Sequence, residues 1–217
     1  MTGLLGAIQF LTRIPVRTRA AVPHQRVVPW FPFVGVLIGA LVGGVAAGLA
    51  ELVPVAVAAT CAVVVGMLVT GAFHEDGLAD VADAFGGGVT RERRFEILKD
   101  SRHGTYGVAA LCASVVVRVV SAGSIATSAA LFAGFVAAHA LGRAGAVAAM
   151  CIWQAAAESG LGADHARRLR PVPTTVGLLA GLAAVTVVCG WWVLPLTLAA
   201  AVGTAAVGWL AMRKIGG

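Results

Sequence analysis

The chain has 217 residues, of which 59% are hydrophobic and only 12% charged, with a mean hydropathy of +0.91. That is about half the charge of a soluble domain, too little polar surface to wrap a water-soluble globule. The net charge of +6 belongs with cytoplasmic loops of a membrane protein rather than with a nucleic-acid surface. The apolar runs are continuous rather than alternating, which argues against a β-barrel. The fold class expected is therefore all-α: a polytopic integral membrane helical bundle, one membrane-embedded domain over 1–217, with about six transmembrane helices and a cytoplasmic catalytic loop.

In chain order, Gly3–Leu11 is a short apolar run followed by Arg13, Arg17 and Arg19. It lacks the basic start of a signal peptide and predicts an interfacial helix against the cytoplasmic leaflet. Val27–Ala50 and Leu52–Phe73 are long enough for two spans, with Glu51 and Pro54 marking the turn between them. Gly35, Gly39, Gly43, Gly44 and Gly48 suit close helix packing in lipid. After a polar segment, Gly107–Gly123 gives a third span, interrupted by Arg118, and Ile125–Ala157 a fourth, carrying His139 and Arg143.

A charge at mid-bilayer costs at least about 2.5–3.5 kcal/mol, so Arg118 and Arg143 are expected to face a polar cavity or snorkel. Arg143 could reach a phosphate, and His139, one turn earlier, reads as a packed neutral histidine. A second polar loop covers Glu158–Pro173, with Asp164, His165, Arg167, Arg168 and Arg170. Val172–Met212 then has room for two spans divided near Gly190–Pro195, ending at Arg213 and Lys214. Six spans put every basic stretch on one side, the cytoplasm. Trp191, Trp192 and Trp209 suit interfacial belts. Cys61, Cys112, Cys151 and Cys189 are scattered through apolar runs and read as packing residues, with no metal or disulfide spacing.

The chemistry is concentrated between His74 and Tyr106. Seven of the ten acidic residues fall there: Glu75, Asp76, Asp80, Asp83, Glu92, Glu96 and Asp100. On a helix, Asp76, Asp80 and Asp83 share one face, where like charges repel unless a cation sits among them. Oxygen ligands without cysteine point to Mg²⁺ or Mn²⁺ rather than zinc. The plain alternative is a solvated acidic face. His74 and Glu75 could complete the site or act as base. Gly86–Gly88 then offers a flexible turn. In the following stretch Phe95, Ile97 and Leu98 could pin the chain to the membrane surface while Arg94, Lys99 and Arg102 face a polar site. Carboxylate-bound metal beside several cations is what phosphoryl transfer uses. No P-loop, HExxH or GxSxG occurs.

Four motifs in order, FLTRIPV (Phe10–Val16), FPFVGVLIG (Phe31–Gly39), FHEDGLADVADAFGGG (Phe73–Gly88) and EILKDSRHGTYG (Glu96–Gly107), make the chain resemble the cobalamin synthase family, the adenosylcobinamide-GDP ribazoletransferases. Weaker similarities continue at Gly142-Arg143 and Gly160–Gly162. The resemblance implies a Mg²⁺-dependent membrane transferase. Its small-molecule substrates would be adenosylcobinamide-GDP and α-ribazole or its 5′-phosphate, and its products adenosylcobalamin (or its phosphate) and GMP. Asp76, Asp80 and Asp83 are then expected to hold the metal. Arg94, Lys99 and Arg102 would clamp the diphosphate, Asp100 and Ser101 would contribute to that surface, and Arg143 would reach substrate. His74 or Glu75 would serve as base. Beyond Gly216-Gly217 the family pattern carries a TGD motif and a further apolar segment, which the 1–217 chain is expected to lack. A homo-oligomer is left open. Two other classes compete. A different Mg²⁺-dependent membrane phosphotransferase using a nucleotide-activated alcohol would carry DGxxAR, absent here, and a cation transporter would carry its carboxylates at mid-membrane.

Overall fold

A computed structural model describes residues 2–16, 22–156 and 169–216, and every regular element among them is helical. Helix α1 is Thr2–Leu11, and α2, His24–Val27, leads through a 3₁₀ turn at Val28–Trp30 into α3, Phe31–Ala50. The next elements are α4 (Val55–Thr70), α5 (Phe73–Gly87), α6 (Arg91–Ile97), α7 (Thr105–Gly123) and α8 (Ser128–Ile152). Two more, α9 (Pro171–Cys189) and α10 (Val193–Ile215), complete the described chain. Arg17, Arg19, Gly160–Gly162 and most of the second polar loop, including Asp164, His165, Arg167 and Arg168, lie outside the described residues.

The polar segment His74–Tyr106 holds the helix on which the three aspartates are expected to share a face, followed by the short α6. Gly86 and Gly87 sit inside the last turn of α5, so the break falls at Gly88. Among the described residues, four helical runs are long and apolar enough to cross a membrane, or five when α4 is counted with α5. The expected six is not reached on length and apolarity alone, and the difference has two sources. Helix α4 has only 16 residues, and α9 and α10 are joined through a 3₁₀ turn at Gly190–Trp192 into a single run, Pro171–Ile215. That run nevertheless reverses at Gly190, whose φ is +57°. Cys189 meets the Ala133 carbonyl at one end of α8, while further along α10 Thr204 lies against Gly145 and Gly208 against Trp153.

The centre of the bundle is the α3–α8 pair. A Cβ on Gly35, Gly39 or Gly43 would lie 2.5 Å from the His139 carbonyl oxygen, 2.6 Å from the Val136 Cα and 2.8 Å from the Phe132 carbonyl oxygen. This seam of one glycine per turn lets two backbones touch, which is how helices associate where lipid removes the hydrophobic gain of contact. Gly44 and Gly48, expected in the same role, have no neighbour within 4 Å. They lie off that face of α3. Around the seam Val34, Ile38, Val42 and Leu131 form the buried core.

One end of the bundle collects the polar elements. Arg91 donates to the Ile215 carbonyl at 2.8 Å and to the Ala156 carbonyl at 3.4 Å, which ties α6 to the C-terminal ends of α10 and α8. Helix α1 caps the same end, burying Gly3, Gly6, Ala7 and Leu11 against α2 and α3.

Candidate active site

The site begins with a bend. Gly71 and Ala72 both take the left-handed conformation, at φ +65° and +55°, and turn α5 by 90° from the axis of α4. A left-handed alanine costs about 1–2 kcal/mol, so the surroundings must hold it. The FLTR stretch supplies that hold. The Arg13 amide donates to the Val69 carbonyl at 2.7 Å. Phe10 stacks on Phe31 at 5.5 Å and meets Phe73 edge-on at 5.4 Å. Three of the motifs singled out in the sequence therefore converge on the corner that sets the direction of α5.

On α5, Asp76, Asp80 and Asp83 share a helical face as the spacing predicts, but the structure separates their roles. Asp76 is exposed and Asp80 half-buried. His103, from the segment after α6, lies 3.8 Å from the Asp76 carboxylate and 3.9 Å from that of Asp80. One ligand atom from each of the three falls within 4.8 Å of the others. Burial raises the Asp80 carboxyl above the usual carboxylate range, the Asp76 charge adds to this, and His103 opposes it. Two crowded carboxylates and an imidazole form a donor set that a divalent cation fits, the hard oxygens suiting Mg²⁺.

Asp83 is not part of this group. It is 7% exposed and accepts hydrogen bonds from the amides of Gly104 at 2.6 Å and Gly107 at 2.8 Å. Its carboxylate closes the N-terminal turn of α7, where backbone N–H groups lack helical partners and negative charge is favoured. The groups brought together are thus Asp76, Asp80 and His103, while Asp83 of the expected triad seats the segment that delivers His103. Sequence reasoning passed over His103. Its signal was its place in the DSRHGTYG motif, directly before the glycine that Asp83 binds.

Glu75, next to Asp76, points elsewhere. Its carboxylate is 9% exposed and pairs with Arg118 of α7 at 2.7 Å. Arg118 therefore faces a polar cavity, one of the two outcomes expected for it. That cavity lies between α4, α7 and α8 and is also lined by His74, His139 and Arg143. Arg143 is 6% exposed, with one guanidinium nitrogen 3.1 Å from the His139 ring and 3.0 Å from the His139 carbonyl. His139 is thus a hydrogen-bonded cavity wall rather than a plain packing residue.

The expected phosphate clamp is dispersed. Arg94 donates to the Lys214 carbonyl at 2.7 Å and the Val89 carbonyl at 3.0 Å, so its guanidinium ties α6 to the end of α10. Lys99 and Ser101 are exposed. Arg102 forks onto Asp100 at 2.7 and 3.0 Å, and those hydrogen bonds hold the Asp100 carboxyl down at about 2. Asp100 thereby orients Arg102 beside His103.

The model of the cobalamin-5-phosphate synthase family matches residues 3–217. The adenosylcobinamide-GDP ribazoletransferase of Vibrio cholerae serotype O1 is 44% identical over 108 residues, covering 48% of this chain and 41% of that protein. The proteins of the same name from Ralstonia nicotianae and Rhizobium etli are 43% and 44% identical over 118 and 124 residues. These two matches cover 52% and 55% of this chain, and 45% and 48% of the relatives. The matches thus span less than half the length of these relatives. No solved structure matches the chain.

Proposed function

The chain belongs to the cobalamin-5-phosphate synthase family, and on that premise we propose that it transfers adenosylcobinamide phosphate from adenosylcobinamide-GDP to α-ribazole or its 5′-phosphate. The observation that carries this reading is the meeting of Asp76 and Asp80 with His103, from two successive motifs, at the polar end of a membrane bundle. The names of the relatives agree with it.

In the proposed reaction a ribazole hydroxyl oxygen attacks the phosphorus attached to cobinamide. The bond from that phosphorus to the bridging oxygen breaks, and GMP leaves with that oxygen. The hydroxyl proton passes to a protein base. His74 is the proposed acceptor, because the neighbouring Glu75 is already engaged by Arg118. Mg²⁺, held by Asp76 and Asp80 with His103 alongside, would neutralise charge developing on the phosphoryl oxygens. Arg102, aimed by Asp100, and Lys99 are free to meet the diphosphate from the water side. The basic residues gathered at this end of the bundle favour a cytoplasmic site.

Membranes carrying the chain are expected to convert adenosylcobinamide-GDP and α-ribazole to adenosylcobalamin with Mg²⁺ and to stop when it is chelated. Asp80→Asn should abolish turnover. Undiminished turnover in that variant would refute the site, and absence of turnover in every condition would refute the reaction.

A further inference from the structure

Two cavities share the residues Thr70 and Glu75. The first, of about 670 Å³, runs from α1 past the bend to α7 and includes Asp76 and His103. The second, of about 470 Å³, lies inside the bundle between α4, α7 and α8. Glu75 is therefore the wall between the acidic cluster and the interior space.

The interior cavity has a divided lining. Val63, Val117, Ile125, Leu131 and Phe135 give it apolar walls, and Glu75, Arg118 and Arg143 give it a charged end. One carboxylate faces two guanidiniums, an excess of one positive charge in a site of low dielectric. Three buried polar atoms there lack a hydrogen-bond partner among the described residues: Glu75 Oε2, Arg118 Nη2 and Arg143 Nε. Arg143 is more than nine-tenths buried. Buried donors and charges in this state are costly, and an anion that accepts from both guanidiniums removes the cost.

From this we infer that the interior cavity is the acceptor subsite, taking a phosphate monoester that carries a flat apolar ring. The ring lies against the apolar walls, the phosphoryl group meets Arg118 and Arg143, and a sugar hydroxyl accepts or donates at the Glu75 wall, one residue from Asp76. The inference rests on the transfer reaction proposed above, in which α-ribazole 5′-phosphate has this chemistry. The volume suits a ligand of nucleotide size. The corrinoid donor is far larger and must remain on the open side with Asp76 and His103. A two-substrate transfer requires two subsites that share a wall, and Glu75 is that wall.

The same chemistry, a phosphate monoester on an apolar body, also describes a lipid such as phosphatidate. Titration calorimetry of the purified chain in an uncharged detergent separates the sources. α-Ribazole 5′-phosphate should bind, Arg143→Gln should weaken it at least about tenfold, and Arg143→Lys should recover part of the loss. Binding of unphosphorylated α-ribazole and of adenosylcobinamide-GDP should be unmoved by Arg143→Gln. Should that variant fail to fold, Ala138→Phe, which narrows the cavity, should weaken both forms of the acceptor and spare the donor. The inference is overturned if the nucleotide does not bind, if donor and acceptor weaken together, or if phosphatidate in mixed micelles displaces the nucleotide from the arginines. Acceptor binding as described without any turnover would sink the proposed reaction and leave the subsite standing.

Discussion

Two charged clusters grow from adjacent residues of α5 and solve opposite problems. On the water side, Asp76 and Asp80 crowd against each other and His103 without an ion pair of normal length, 3.8 Å and 3.9 Å being the closest approaches. On the bundle side, Glu75 is tied to Arg118 at 2.7 Å, with Arg143 lining the same cavity. Water screens like charges cheaply, so an exposed cluster can stay unpaired and available to a ligand. Inside the bundle an unpaired charge is costly, and the single carboxylate Glu75 takes Arg118 as its partner. The difference predicts that the first cluster serves chemistry at little expense to stability, whereas the second contributes to both.

The sharpest break of this contrast comes from removing one member of each cluster. Asp80→Ala is expected to lower turnover at least about a hundredfold while leaving the thermal midpoint of the purified protein in place. A large loss of midpoint would mean that the acidic cluster also holds the fold. Glu75→Leu should instead lower stability by about 2 kcal/mol, because it leaves the half-buried Arg118 guanidinium without its partner. Denaturation in detergent measures this, and Glu75→Leu combined with Arg118→Leu should recover much of the loss. Asp83→Ala should cost about 2 kcal/mol by orphaning two backbone amides. Mg²⁺ binding, read by calorimetry, should persist in that variant, and its disappearance would return Asp83 to the metal site. The smallest effect is a gain: Ala72→Gly should stabilise the protein by about 1 kcal/mol, since glycine takes the left-handed turn without strain.

The class of fold and the segment carrying the chemistry were legible because they depend on composition and on local spacing. Apolar runs locate α3, α7 and α8 within a few residues, and the aspartate spacing places three carboxylates on one helical face. What spacing cannot show is the rotation of that face against its neighbours. Asp83 turns to the amides of Gly104 and Gly107, and His103 enters in its place. Both follow from a chain reversal through α6 that no local pattern encodes. Gly44 and Gly48 have the same residue type as the seam glycines but the wrong phase around α3. Arg94 has the chemistry of a phosphate ligand, yet the end of α10 reaches it first, with carbonyls that lack helical donors. The Glu75–Arg118 pair could be anticipated only as a requirement: a charge within an apolar run needs a partner, but which one is settled by packing.

The bend at Gly71–Ala72 also fixes how deep the carboxylates sit. The 16 residues of α4 amount to about 24 Å of helix, against a hydrocarbon layer of about 30 Å. Helix α8, with 25 residues, exceeds that thickness. The bilayer must therefore thin on the α4 flank, or Asp76 and Asp80 must sink to headgroup level, and acyl chain length becomes a variable of the site. Discs of short-chain lipid should hold the carboxylates clear in water, and lengthening the chains should draw them progressively toward the phospholipid phosphates.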